Sequence, residues 1–194
     1  MHMIITVIEI LYLFIVTLVL GFIFYDRIGL YVPKKEEDVI SRYTKRGFDW
    51  ESFWFAALVT APGVVLHELG HKFIALFFGL FAQFKIFTLG LGIAIVLKLV
   101  NSPFLIIAPG YVEISGPATN LQSFLISFAG PGVNLLLFIV ALLLLKRKKK
   151  YSKKMYIFLE LTKKINLILF IFNMIPIPPL DGSKVFYSLF KLLF

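Results

Sequence analysis

The sequence predicts an all-α polytopic membrane protein. It would have a core of about three transmembrane helices behind an N-terminal helix, with a small β-hairpin or re-entrant region between core helices. The first observation is composition: the 194 residues are 59% hydrophobic and only 16% charged, against about 25% charged in soluble domains. Mean hydropathy is +0.90. The second is the length of the apolar runs, several of which approach or exceed the ~20 residues that cross ~30 Å of hydrocarbon. The third is how the runs are interrupted, by Gly/Pro clusters and by one short stretch of period-2 alternation.

Met3–Tyr25 is the first span. Its apolar core is too long for a cleaved signal peptide, no basic region precedes it and no small-residue cleavage site follows, so residues 1–25 are expected to be a retained helix. Glu9 is its one anomaly. A lone acid in a span is costly, which places it against protein or near the interface. Residues 26–52 form a polar, mixed-charge loop, and residues 53–194 the remaining core. Within the core, Phe53–Leu80 is apolar at its start but carries His67, Glu68, His71 and Lys72 in its second half, with Pro62 and Gly63 mid-run. Ile86–Pro109 is apolar but interrupted by Gly90, Gly92, Lys98, Asn101 and Pro103. Gly110–Pro117 alternates through Tyr111, Glu113 and Ser115, the pattern of a short strand. Non-helical backbone at membrane depth must be buried in protein or face water. Leu121–Leu145 is a span opened by Ala129-Gly130-Pro131-Gly132. The last stretch turns apolar at Ile165–Ile175, breaks at Pro176–Gly182 and resumes at Ser183–Phe194. Breaks of this kind sit where backbone and side chains meet a ligand or ion.

The net charge of +9 is concentrated: seven of the nine residues in Lys146–Lys154 are basic, and six more basic residues lie in Arg27–Arg46. Beside membrane spans these runs are topology signals and headgroup contacts rather than nucleic-acid sites. There is no cysteine, which removes disulfides and thiolate metal ligands.

His67-Glu68-Leu69-Gly70-His71 fits H-E-x-x-H. On a helix, positions i and i+4 share a face, so both imidazoles reach one metal ion. Zinc lowers the pKa of a water to about 7, and the neighbouring Glu68 can take its proton as it attacks a carbonyl. Only three histidines occur in the chain, and two fall at ligand spacing inside an apolar run, which chance does not readily supply. Catalytic zinc needs a third protein ligand and an open position. Six of the eleven acids lie in Asp26–Glu51, far from the histidines. With Glu68 as the base, Glu9, Glu113, Glu160 and Asp181 remain. Asp181 sits in the proline-rich break, where a short side chain can be aimed inward, and is the favoured ligand, with Glu113 in reserve. An aspartate before glycine is also an ordinary turn pair.

Three motifs in this order resemble the site-2 protease family of intramembrane zinc metalloproteases, in a compact form without a PDZ domain. They are H-E-L-G-H at His67–His71, A-G-P-G-V-N at Ala129–Asn134 and N-M-I-P-I-P-P-L-D-G at Asn173–Gly182. The resemblance runs from about Val64 to Lys184. It implies one zinc ion per chain held by His67, His71 and Asp181, with Glu68 as general base. It further implies a place for Asn173 near the substrate or oxyanion, and a supporting or substrate-side role for Asn134. The implied substrates are single-span membrane proteins or signal-peptide-like remnants, cleaved in or near the bilayer of the cell membrane. The lysine-rich loop is too short for the PDZ module of larger relatives.

A helical peptide bond is shielded by its neighbours, so the site must unwind substrate and admit water. Gly110–Pro117 could pair with an extended substrate segment by edge addition. On orientation two arguments disagree. If Ile86–Pro109 does not span, the positive-inside rule puts both basic segments in the cytoplasm and the zinc end outside, whereas the family resemblance puts the zinc end towards the cytoplasm. The rivals are a membrane zinc carrier, an inactive scaffold relative and another membrane zincin of the prenyl-peptide processing class. A carrier has no use for a base between the histidines.

Overall fold

A computed structural model describes residues 4–31, 48–102, 108–147 and 150–194. Most of the expected polar loop, residues 32–47, lies outside the described residues, as do Lys148 and Lys149 of the lysine cluster.

The first helix, α1 (Val7–Gly29), begins at a capping box in which Thr6 accepts from the Glu9 N–H and Glu9 accepts from the Thr6 N–H. Helix α2 (Trp50–Phe77) is capped by Asp49, and Pro62 is accommodated without ending it. Strands β1 (Phe81–Ile86) and β2 (Gly110–Ser115) form an antiparallel pair with Phe84 opposite Val112 and Ile86 opposite Gly110. Between them lies α3 (Thr88–Leu99). Helix α4 (Asn120–Lys146) opens on a Thr119–Gln122 capping box and contains Pro131. Helices α5 (Lys153–Asn173) and α6 (Asp181–Leu193) follow, separated by the proline-rich break.

Helices α1, α2 and α4 are long and apolar enough to cross a membrane. At 21 residues, α5 reaches about 31 Å but carries Lys153, Lys154, Glu160, Lys163 and Lys164 along its length. The architecture is the expected all-α polytopic one with a small hairpin. The exposed faces are apolar, as lipid contact requires, with Ile8, Leu11 and Phe14 on α1 and Leu136, Ile139 and Leu143 on α4. Phe48, Trp50, Phe53 and Trp54 stack edge to face at the start of α2, where amphipathic rings favour a membrane interface.

Within the segment 86–109, residues 103–107 lie outside the described residues. Helix α3 has 12 residues, about 18 Å, and the Ile86–Gly110 register puts the two ends of the segment side by side. One face of α3 lies along α1: Leu91 joins Val16, Leu20, Ala61 and Phe84 in a core cluster. Farther along, Lys98 pairs with Asp26 and its ammonium sits 4.8 Å over the Tyr25 ring. Strand β1 alternates buried Ala82 and Phe84 with partly exposed Gln83 and Lys85. That period-2 pattern lies directly after the long apolar run, which hid it.

Candidate metal centre

His67 lies ten residues before the end of α2, about 15 Å from the hairpin end. One helical turn separates it from His71, and the rings meet edge to face with centroids 4.8 Å apart. Their Nε2 atoms are 3.2 Å apart. Asp181, the first residue of α6, brings Oδ2 to 3.1 Å from His67 Nε2 and 3.2 Å from His71 Nε2. Asn120 of α4 donates to the Lys191 carbonyl of α6, so α6 runs back along α4 from the depth of the histidines. The break between α5 and α6 therefore lies at that depth and turns Asp181 inward. Among the described residues this is the only group of three or more acids and histidines that converges on a metal-sized space.

The hydrogen bonds behind the rings settle what the cluster offers. His71 Nδ1 is 2.7 Å from the Ile126 carbonyl, which only accepts, so Nδ1 carries the proton. His67 Nδ1 is 2.7 Å from Asn134 Oδ1. The Asn134 amide is oriented by its own nitrogen, which donates to the Gly63 carbonyl at 2.8 Å and to Asn166 Oδ1 at 3.0 Å. Asn166 is oriented in turn by donating to the Thr162 carbonyl at 2.8 Å. A neutral imidazole at either position is then the Nδ1–H tautomer, its Nε2 lone pair turned towards the other ring and a carboxylate oxygen. In that form the three facing atoms are all acceptors, an arrangement that a cation between them satisfies. A tetrahedral zinc ion with bonds of about 2.0–2.1 Å sets its ligand atoms about 3.3 Å apart, close to the 3.1–3.2 Å found here. The residues fit a metal ion.

Glycine makes the space. A Cβ on Gly130 would fall 2.7 Å from His67 Nε2 and closer still to His71 Nε2. At Gly70 a Cβ would lie 3.0 Å from the Ala129 carbonyl oxygen, so α2 and α4 approach backbone to backbone at the site. Glu68 lies one position on from His67, partly buried, and no hydrogen bond holds its carboxylate among the described residues.

The other candidates stand elsewhere. Glu113 pairs with Lys85 at 2.6 Å on the outer face of the sheet, and Glu160 pairs with Lys163 at 2.7 Å. Asn134 is fully buried behind His67, its amide shared between that ring, Gly63 and Asn166. Asn173 ends α5, with its amide nitrogen donating to the Leu169 carbonyl at 3.0 Å and its oxygen on a partly exposed side chain beside the break. Sequence reasoning missed Asn166 entirely. Its signal was an asparagine amid apolar residues, which a polar partner on a facing helix would explain.

The hairpin adjoins the site. Ala82 packs with Ala75, one turn beyond His71, and with Ile126, whose carbonyl holds that ring; Val112 and Ile114 pack against the same cluster. The Phe84 N–H points away from β2, to Glu9 on α1. Phe84 and Val112 are therefore a non-hydrogen-bonded pair, and the N–H and C=O groups of Val112 and Ile114 face the open edge of β2.

The chain matches the model of peptidase family M50 over residues 55–149 and 145–194. A Methanocaldococcus jannaschii protein is 36% identical over 134 residues, 69% of this chain and 69% of its own length. A Synechocystis protein is 34% identical over 142 residues, 70% of this chain and 32% of its own length. A Bacillus subtilis protein is 35% identical over 78 residues, 36% of each chain. All three bear the name "putative zinc metalloprotease". The second and third matches span only about a third of those proteins' length.

Proposed function

This chain belongs to peptidase family M50, the site-2 protease family, and for such a membrane metalloprotease we propose intramembrane zinc endopeptidase activity on single-span or signal-peptide-like substrates in the cell membrane. The observation that carries the reading is the convergence of His67, His71 and Asp181 on one point, with Nδ1 of each ring already bonded on its far side.

His67, His71 and Asp181 would hold zinc as two neutral nitrogens and one anionic oxygen, leaving the fourth tetrahedral position open. When bound, the ion lowers the pKa of a water towards neutrality and polarises the scissile carbonyl. Glu68 takes the proton from the attacking water as the new C–O bond forms. It returns that proton to the leaving amide nitrogen as the C–N bond breaks, giving a carboxylate and an amine. Asn134 and Ile126 keep both rings in the tautomer that leaves Nε2 unprotonated. Asn173, at the end of α5, is placed in this proposal beside the reacting carbonyl, where its side chain can take part in orienting substrate.

A helical substrate hides its carbonyls in its own i to i+4 hydrogen bonds. The outward N–H and C=O groups of Val112 and Ile114 offer replacements to an unwound segment, which would then lie as a third strand beside β2. The small residues Gly70 and Gly130 keep the neighbouring helices close, which helps to exclude lipid from the reacting groups.

The test is cleavage of single-span substrates by the purified protein, with and without chelator, beside Glu68→Gln. The expected result is chelator-sensitive cleavage that falls about 10²–10⁴-fold in the variant while zinc stoichiometry stays at one per chain. A Glu68→Gln variant that cleaves as the natural chain does would refute the proposed role of Glu68. A protein that binds and carries zinc without hydrolysis, in either form, would favour a carrier instead.

A further inference from the structure

We propose that Glu9 is a positioning residue of this site: from α1 it fixes strand β1, and through β1 the open edge of β2, against the turn of α2 that carries His71. This rests on the reading that substrate pairs with the β2 edge. Residues 1–54 lie outside the family match, so nothing in that match assigns this carboxylate a role.

Glu9 and Lys72 are each 1% exposed. Four donors from three elements meet the Glu9 carboxylate. The Thr6 N–H and hydroxyl reach Oε2 at 2.8 and 3.0 Å, the Phe84 N–H reaches Oε1 at 2.7 Å, and the Lys72 ammonium bonds to the same Oε1. The capping box aims the side chain, the lysine ties it to the residue after His71, and the backbone bond ties it to the outer edge of β1. A buried ion pair contributes little net stability over an apolar pair of the same shape, so stability alone gives no reason to place one here. Its geometric consequence does. The Phe84 N–H would otherwise be a buried orphan, and β1, tied to α2 at its start by the Leu80 N–H on the Ala75 carbonyl, would lose its directional tie to α1.

Two charge-neutral double variants separate positioning from simple stabilisation. Glu9→Gln/Lys72→Met keeps a carbonyl oxygen for the Phe84 N–H, whereas Glu9→Leu/Lys72→Met removes it. Neither strands a buried charge. The readouts are zinc content, cleavage of a single-span substrate, and amide exchange resolved to single residues. The Leu/Met variant is expected to keep its zinc, to raise KM about tenfold, as loss of one bond to a charged group implies, and to exchange the Phe84 amide faster. The Gln/Met variant is expected to restore most of both losses. Equal behaviour of the two variants in KM and in exchange would overturn the proposal. Exchange also decides the matter if the protein proves not to be a protease, because it needs no turnover. If the Leu/Met variant does not fold, the natural chain serves. Its Phe84 amide should exchange more slowly than those of Val112 and Ile114, and equal rates would refute the anchor.

Discussion

At the scale of single residues, the chemistry of the centre depends on which nitrogen of each imidazole carries its proton. Ile126 decides this for His71 through a carbonyl, which no side-chain substitution removes. For His67 the decision rests on Asn134, and behind it on Asn166 and Thr162. Asn134→Ala is therefore expected to weaken zinc binding about 10–100-fold, the usual range for partners behind a metal ligand, measured by competition with a chromophoric chelator. Unchanged affinity would remove Asn134 from the centre. His67 and His71 were legible from spacing alone, because the helical period puts i and i+4 on one face whatever surrounds them. Asp181 was legible as the acid in a helix break. Asn166 was not, because its partner lies 32 residues away on another helix, and no local pattern encodes which asparagines will face one another. The same holds for Glu9: its cost in a span was plain, but Lys72 is 63 residues distant.

At the scale of elements, the hairpin matters through one edge. Strand β1 has neighbours on both sides, β2 on one and Glu9 of α1 on the other, while the outward groups of β2 bond to no other backbone among the described residues and are assigned to substrate in the proposal above. Val112→Pro deletes an outward N–H without breaking the β1 ladder, and Val112→Ala controls for the lost side chain. The proline variant is expected to lose at least about tenfold in kcat/KM, as several aligned backbone bonds imply, with zinc content unchanged. Cleavage equal to that of the alanine variant would exclude edge addition. The period-2 signal of β2 stood out between glycines and prolines. That of β1, with Gln83 and Lys85 on either side of Phe84, was masked because the strand follows directly on the long apolar run of α2 and is only six residues long.

At the scale of the whole molecule, antiparallel α1, α2, α4 and α5 put the metal centre nearer the hairpin end. The end of α1 and the α4–α5 connection lie at the opposite end, where Lys154 of α5 bonds to Glu51 of α2. The chain has no cysteine, so single introduced cysteines report cleanly. Tyr31→Cys and Lys150→Cys are expected to react with an impermeant reagent from one face of the membrane, and Ala118→Cys from the other. Labelling of all three from one face would contradict this arrangement, whichever face is cytoplasmic. Helices α1, α2 and α4 followed from apolar length. The glycines, lysine and proline that interrupt 86–109 pointed to a hairpin or re-entrant region, but not to the β1–β2 register or to Lys98 meeting Asp26, contacts between segments that look unrelated along the chain. The claim on which the proposed chemistry depends is that two imidazoles and one carboxylate from α2 and α6 share a single ion. X-ray absorption at the zinc edge tests it most directly. The expected spectrum of the loaded protein carries the scattering of two imidazoles and one carboxylate, with one imidazole lost in His71→Ala and the carboxylate lost in Asp181→Ala. Spectra from both variants identical to that of the natural chain would place the ion elsewhere and contradict the account.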